Sequence, residues 1–80
     1  MKAYKLIEKY GWLQHAYGNR QAGFCVMGAL YETYPYDKAC KYKEMIQKHT
    51  RCRAAYWNDR PRRTKQEVIA LLKKVEGITR

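Results

Sequence analysis

Between Lys48 and Lys65 the chain carries seven cationic side chains, Lys48, Arg51, Arg53, Arg60, Arg62, Arg63 and Lys65, against the single carboxylate of Asp59. The stretch therefore holds a net charge of +6 in eighteen residues. Arginine outnumbers lysine five to two here, whereas lysine outnumbers arginine eight to two elsewhere. A guanidinium is a planar fork that grips phosphate or carboxylate through two parallel hydrogen bonds, and it also stacks on rings. Tyr56 and Trp57 lie inside the same stretch. Cations interleaved with rings suit single-stranded nucleic acid, whose phosphates follow the charges while its bases stack. The candidate nucleic-acid-binding residues are thus Lys48, Arg51, Arg53, Tyr56, Arg60, Arg62, Arg63 and Lys65. An acidic surface on a protein partner would engage the same cations. The plainest alternative is a solvated rim of arginines around a Trp57 plugged into the core.

Other chemistry is poorly served. Cys25, His49 and Asn58 stand in the order used by some cysteine hydrolases, and a thiol near a helix start can have a lowered pKa. An eighty-residue helical chain leaves little room for a substrate cleft beside its core, so no catalytic residue is expected and the protein reads as non-enzymatic. His49-x-x-Cys52 lacks the second close-spaced ligand pair of a structural zinc site, so no metal is expected. The carboxylates of Glu8, Glu32, Asp37, Glu44, Asp59, Glu67 and Glu76 are scattered, which does not suggest paired acid–base work. There is no Gly-rich phosphate loop, and no cofactor is expected.

The elements that must position the basic stretch are helical. Lys2–Tyr10 puts Ala3, Leu6, Ile7 and Tyr10 on one face, with Gly11 as the stop and Trp12 folding back on Ile7. Trp12–Gln21, punctuated by Gly18 and Asn19, reads as an ordered loop or short hairpin, with Asn19 an N-cap for the next helix. Ala22–Tyr34 is apolar almost all round, the pattern of a buried central helix. Gly28 and Ala29 would let a neighbouring helix approach it closely, and Pro35 ends it. Tyr36–His49 is a third helix, with Ala39, Tyr42, Met45, Ile46 and His49 inward. Arg53–Trp57 allows one more short turn before Asp59-Arg60-Pro61 breaks it. Thr64-x-x-Glu67 is a capping box opening a last helix, whose stripe is Val68, Ile69, Leu71, Leu72 and Val75. The stretch from Thr50 to Arg63 is too long for the turn of a helix-turn-helix.

Eighty residues fit one small domain, so residues 1–80 are read as a single all-α domain of four to five helices around the buried central one. Seventeen Lys and Arg against seven Asp and Glu give a charge of +10, which attracts polyanions. Most of the eight Tyr, two Trp and one Phe are expected to fill the core. Three cysteines, an odd number, do not make the disulfide framework of a secreted mini-protein, which points to the cytoplasm. No apolar run approaches the ~18–20 residues of a membrane span and no leader peptide is evident, so no membrane partner is expected.

The succession Leu6-Ile7, Gly11-Trp12, Cys25-x-x-Gly28-Ala29-Leu30, Trp57-Asn58-Asp59, Thr64-x-x-Glu67-Val68 and Leu71-Leu72 resembles a family of small uncharacterised proteins of actinobacteria and phages. The resemblance spans about residues 3–75 and implies a single helical domain, with Trp12, Cys25, Gly28, Ala29, Trp57, Asn58 and Asp59 at family positions. It implies no activity. Members often carry a second Cys where Leu13 stands, and a longer loop where this chain has Gln14–Ala22. The basic excess is read as specific to this member, so no charge-based function is projected from relatives. Beside the resemblance, Trp57 is expected to anchor its loop while Asn58 or Asp59 bonds that loop's amides.

The functional expectation is a small basic binding protein that contacts nucleic-acid phosphates through the Arg-rich stretch. The alternative is a phage-type accessory protein that docks on and inhibits a host enzyme or defence component.

Overall fold

In the computed structural model, which describes residues 1–77, the chain opens with helix α1 (Ala3–Tyr10). Strands β1 (Gly18–Asn19) and β2 (Gly23–Phe24) come next, then helices α2 (Val26–Thr33), α3 (Tyr36–Thr50), α4 (Ala54–Asn58) and α5 (Lys65–Val75). The core joins Ile7 of α1, Val26 and Leu30 of α2, Ile46 of α3, Ala54 of α4 and Val68 and Leu72 of α5, all essentially fully buried. Burying each of the larger aliphatic side chains contributes about 1.5–3 kcal/mol relative to leaving it in water.

The expected all-α class is corrected by the antiparallel pair of β1 and β2, in which Gly18 faces Phe24 and Asn19 faces Gly23. The fold is mostly helical with a small sheet. The sheet takes the first residues of the expected central helix, which begins at Val26 rather than Ala22. Two observations explain this. Gly23 adopts φ 95°, outside the helical region, and the backbone of Phe24 is held by Gly11 and Leu13 through N–H···O bonds of 3.0 and 3.1 Å. An apolar run alone does not distinguish such a buried strand from a helix. Asn19 accordingly caps no helix; its Oδ1 accepts from the amides of Gln21 and Ala22 at 2.8 Å and closes the hairpin turn. The N-cap of α2 is Cys25, whose Sγ accepts from Gly28 N at 3.2 Å.

Gly28 has a reason other than helix–helix contact. A Cβ built there would lie 1.9 Å from the carbonyl oxygen of Tyr17, so it is the hairpin backbone that presses on α2. The same carbonyl accepts from Cys25 N at 3.1 Å. α2 packs on α1, α3 and α4, while α5 packs mainly on α1 and to a lesser extent on α3. On α3 the buried stripe is narrower than the pattern suggested: Ala39 and Ile46 are buried and Tyr42 half-buried, but Met45 and His49 are exposed.

Among the described residues two polar side chains are buried, Asn58 and Glu76. Glu76 answers a defect at the far end of the chain. Helix α1 starts after Lys2, which offers no acceptor, and has no acidic residue in its first turn. Helix starts leave four amides without partners. The Glu76 carboxylate accepts from Ala3 N at 2.9 Å and Tyr4 N at 3.1 Å, and the Tyr34 hydroxyl donates to it as well. Burial, and then the bond to Glu76, push the Tyr34 phenol far above its ordinary pKa.

Candidate functional site

The basic stretch is held by α4 and by the turn that leads from it to α5. Trp57 is half-buried against the core. Asn58, with no exposed surface, joins three segments. Its Oδ1 accepts from Trp12 Nε1 at 2.8 Å and Val26 N at 3.0 Å; its Nδ2 donates to Leu13 O at 3.0 Å and Asp59 Oδ1 at 2.9 Å. Gln14 Nε2 donates to the carbonyls of Asn58 and Arg60, and Asp59 Oδ1 accepts from His15 N at 2.9 Å. The Trp-Asn-Asp segment therefore anchors structure, as expected, but what it anchors is the remote Trp12–His15 loop and the start of α2.

The cations of the stretch fall into two groups. Arg63 turns inward: its guanidinium lies 3.9 Å from the Trp57 ring centroid, its Nε donates to Trp57 O at 2.8 Å, and its Nη1 meets Glu67 Oε2 at 3.1 Å. The same Glu67 closes the Thr64 capping box. The Thr64 amide first, with Arg63 adding to it, holds the Glu67 carboxyl below its usual range. Arg63 is thus part of the α4–α5 joint rather than a free cation. Lys48, Arg51, Arg53, Arg60 and Arg62 are exposed and Lys65 is half-buried. Among the described residues none of these six meets a carboxylate within 4.0 Å; the ion pairs there are Arg20–Glu32 and Arg63–Glu67, and Asp59 faces the His15 imidazole.

Arg53 and Tyr56 are brought together, bordering one surface depression of about 270 Å³ with Ala55 and Asp59. Tyr56 is 71% exposed. Lys48, Arg51, Arg60, Arg62 and Lys65 do not line that depression. Arg51 closes α3 in the left-handed conformation at φ 59°, and Arg62 sits at φ 72° in the turn after Pro61.

The residues of the hydrolase order do not assemble. Cys25 borders a cavity of about 240 Å³ with His15, Tyr17 and Asp59, whereas His49 lines a separate groove with Trp57 and Leu71. Burial pushes the Cys25 thiol up despite the Gly28 amide that opposes it. His15, at φ 70°, places its Nδ1 3.7 Å from Asp59 Oδ2. Residue spacing carries no sign of this His15–Cys25–Asp59 grouping, because it joins the loop, the α2 cap and the end of α4. Three tyrosines also depart from the expectation of core placement: Tyr17, Tyr36 and Tyr56 are exposed. Among the described residues no helix is long and apolar enough to cross a membrane.

The chain belongs to a family of unknown function (DUF6197), which matches residues 1–77. No curated protein and no solved structure showed significant similarity to it.

Proposed function

We propose that this family member is a nucleic-acid-binding module whose free arginines contact backbone phosphates. The observation that carries the proposal is the pattern of ion pairing: the cation that Glu67 meets is Arg63, and among the described residues the exposed Arg51, Arg53, Arg60 and Arg62 have no carboxylate within 4.0 Å. An exposed Tyr56 beside Arg53 adds a ring for stacking. A net charge of +10 draws a polyanion to the molecule before any contact is made.

Salt dependence tests this directly. Four phosphate contacts on a single strand give a slope of about −2.8 in log K against log salt. Affinity for a labelled oligonucleotide should then fall roughly 50-fold between 50 and 200 mM salt, by the same counterion-release relation. Fluorescence anisotropy reads it. Arg53, Arg60 and Arg62 changed together to Ala should flatten the slope toward −0.7, about one remaining contact. A protein that shows no salt-sensitive binding, or a triple variant that binds as wild type does, would overturn the proposal.

A further inference from the structure

The depression at Arg53 and Tyr56 is one end of a longer track. It shares Ala55 and Asp59 with the cavity beside His15 and Cys25. That cavity shares Tyr17 with a third depression, of about 530 Å³, walled by Tyr17, Tyr31, Tyr34 and Tyr36. The three hollows, each sharing at least one lining residue with the next, make a segmented groove from α4, past the hairpin loop, to the α2–α3 junction. From this groove we infer that the ligand is single-stranded nucleic acid, with unpaired bases seated on Tyr17 and Tyr36 and phosphates held at the two ends. The inference rests on the phosphate-binding proposal and extends it to a strand class and a path.

The disposition of aromatic surface supports it. The large apolar side chains exposed among the described residues are Met1, Tyr17, Tyr36, Met45 and Tyr56, and all three aromatic ones line this groove. Tyr17 is 63% and Tyr36 73% exposed. A ring left in water at one site is ordinary, but three along one track make a stacking series. The rings are also braced. Tyr31 lies parallel to Tyr36 at 5.9 Å between centroids and edge-on to Tyr17 at 5.6 Å, so the outer faces of Tyr17 and Tyr36 are presented on a fixed support. Arg53 lines the first depression, and Lys38 Nζ lies 5.2 Å from the ring centroid of Tyr34, a wall of the third.

One carboxylate, Asp59, borders both the Arg53–Tyr56 depression and the cavity next to it. Asp59 already accepts at Oδ1 from His15 N and Asn58 Nδ2, and its Oδ2 faces the His15 imidazole. A carboxylate repels phosphate but accepts from the N–H edge of a base, so bases rather than phosphates lie along Asp59. A duplex keeps its bases paired inside and cannot offer them to surface rings, so the groove selects for single strands. The longest dimension of the molecule, 29 Å, limits the contact to a handful of nucleotides.

The test compares three probes, short oligo-dT, a DNA duplex of equal phosphate number, and heparin, against wild type and a Tyr17→Ala/Tyr36→Ala variant. Both side chains are mostly exposed, and circular dichroism checks that the variant keeps its helical signal. A Tyr17→Phe/Tyr36→Phe variant retains rings without hydroxyls. Wild type should prefer oligo-dT to duplex, the Ala variant should lose at least tenfold in oligo-dT affinity, and the Phe variant should bind as wild type. Heparin, which has charge but no bases, should bind all three alike. If wild type binds heparin and duplex as tightly as oligo-dT, or the Ala variant loses nothing, the groove inference falls while the phosphate proposal stands. If wild type binds none of the probes, the phosphate proposal fails and takes the inference with it.

Discussion

Asn58→Ala perturbs the point on which the positioning of the basic stretch depends. In the native protein this side chain has no exposed surface and satisfies Trp12 Nε1, Val26 N and Leu13 O. Truncation strips all three of their partner. A buried polar group left unpaired costs about 1–3 kcal/mol, and water entering the vacated space offsets part of that. The net loss should be about 3–5 kcal/mol, against a total of roughly 4–12 kcal/mol for a chain of this size. Urea unfolding followed by circular dichroism measures it. Asn58→Asp sharpens the reasoning, because a carboxylate accepts from Trp12 and Val26 but cannot donate to Leu13 O and faces Asp59. The introduced carboxyl should have a folded-state pKa raised above its unfolded value of about 3.9. Its folded form is favoured when protonated, so the deficit relative to wild type is smallest below the unfolded pKa and grows as pH rises through the folded one. An alanine variant within 1 kcal/mol of wild type, or an Asp variant with the same deficit at every pH, would refute the hub role.

Gly28→Ala should cost about 3 kcal/mol or more, since a Cβ 1.9 Å from the Tyr17 carbonyl must push the hairpin off α2; an unchanged melting temperature would contradict this. For Tyr34→Phe, the expected loss near neutral pH is about 1 kcal/mol for the missing bond to Glu76. Because burial and Glu76 raise the Tyr34 pKa in the folded state, the stability tied to its neutral phenol is complete below about pH 10 and drains as pH climbs above that. The wild-type advantage over the Phe variant should therefore shrink in strongly alkaline urea titrations, and a constant gap would count against the pairing. Arg63→Ala should lower stability by about 1–2 kcal/mol through loss of the Trp57 contact and the Glu67 pair, with little change in oligonucleotide affinity. Arg60→Ala with Arg62→Ala should do the reverse, and a swap of the two outcomes would show that Arg63 is the phosphate contact.

Features closed over a few residues are legible in the sequence. The Thr64–Glu67 capping box forms as expected because both partners lie within one helical turn. The stripe of α5 and the breaks at Gly11 and Pro35 are local in the same sense. Features that depend on distant partners are not. Gly23 and Phe24 look helical beside Val26, and only their bonds to Gly11, Leu13 and the Gly18–Asn19 strand make them a sheet. Glu76 looks like one scattered carboxylate among seven, yet it caps a helix 73 residues away. A signal exists there, since α1 lacks both a capping side chain and an acid in its first turn. A count of charges treats seven cations alike, but the four-residue spacing of Arg63 and Glu67 already marks one of them as paired. Counting cannot separate Tyr17 and Tyr36 from the core tyrosines either, because exposure is settled by how the elements pack together.

Backbone amide chemical shifts monitored during titration with short oligo-dT at low salt test the phosphate contact most directly. Arg53, Tyr56, Arg60 and Arg62 should shift in a saturable manner, and the shifts should revert on raising the salt. Absence of shifts, or shifts confined to α1, would contradict binding through the stretch between α3 and α5.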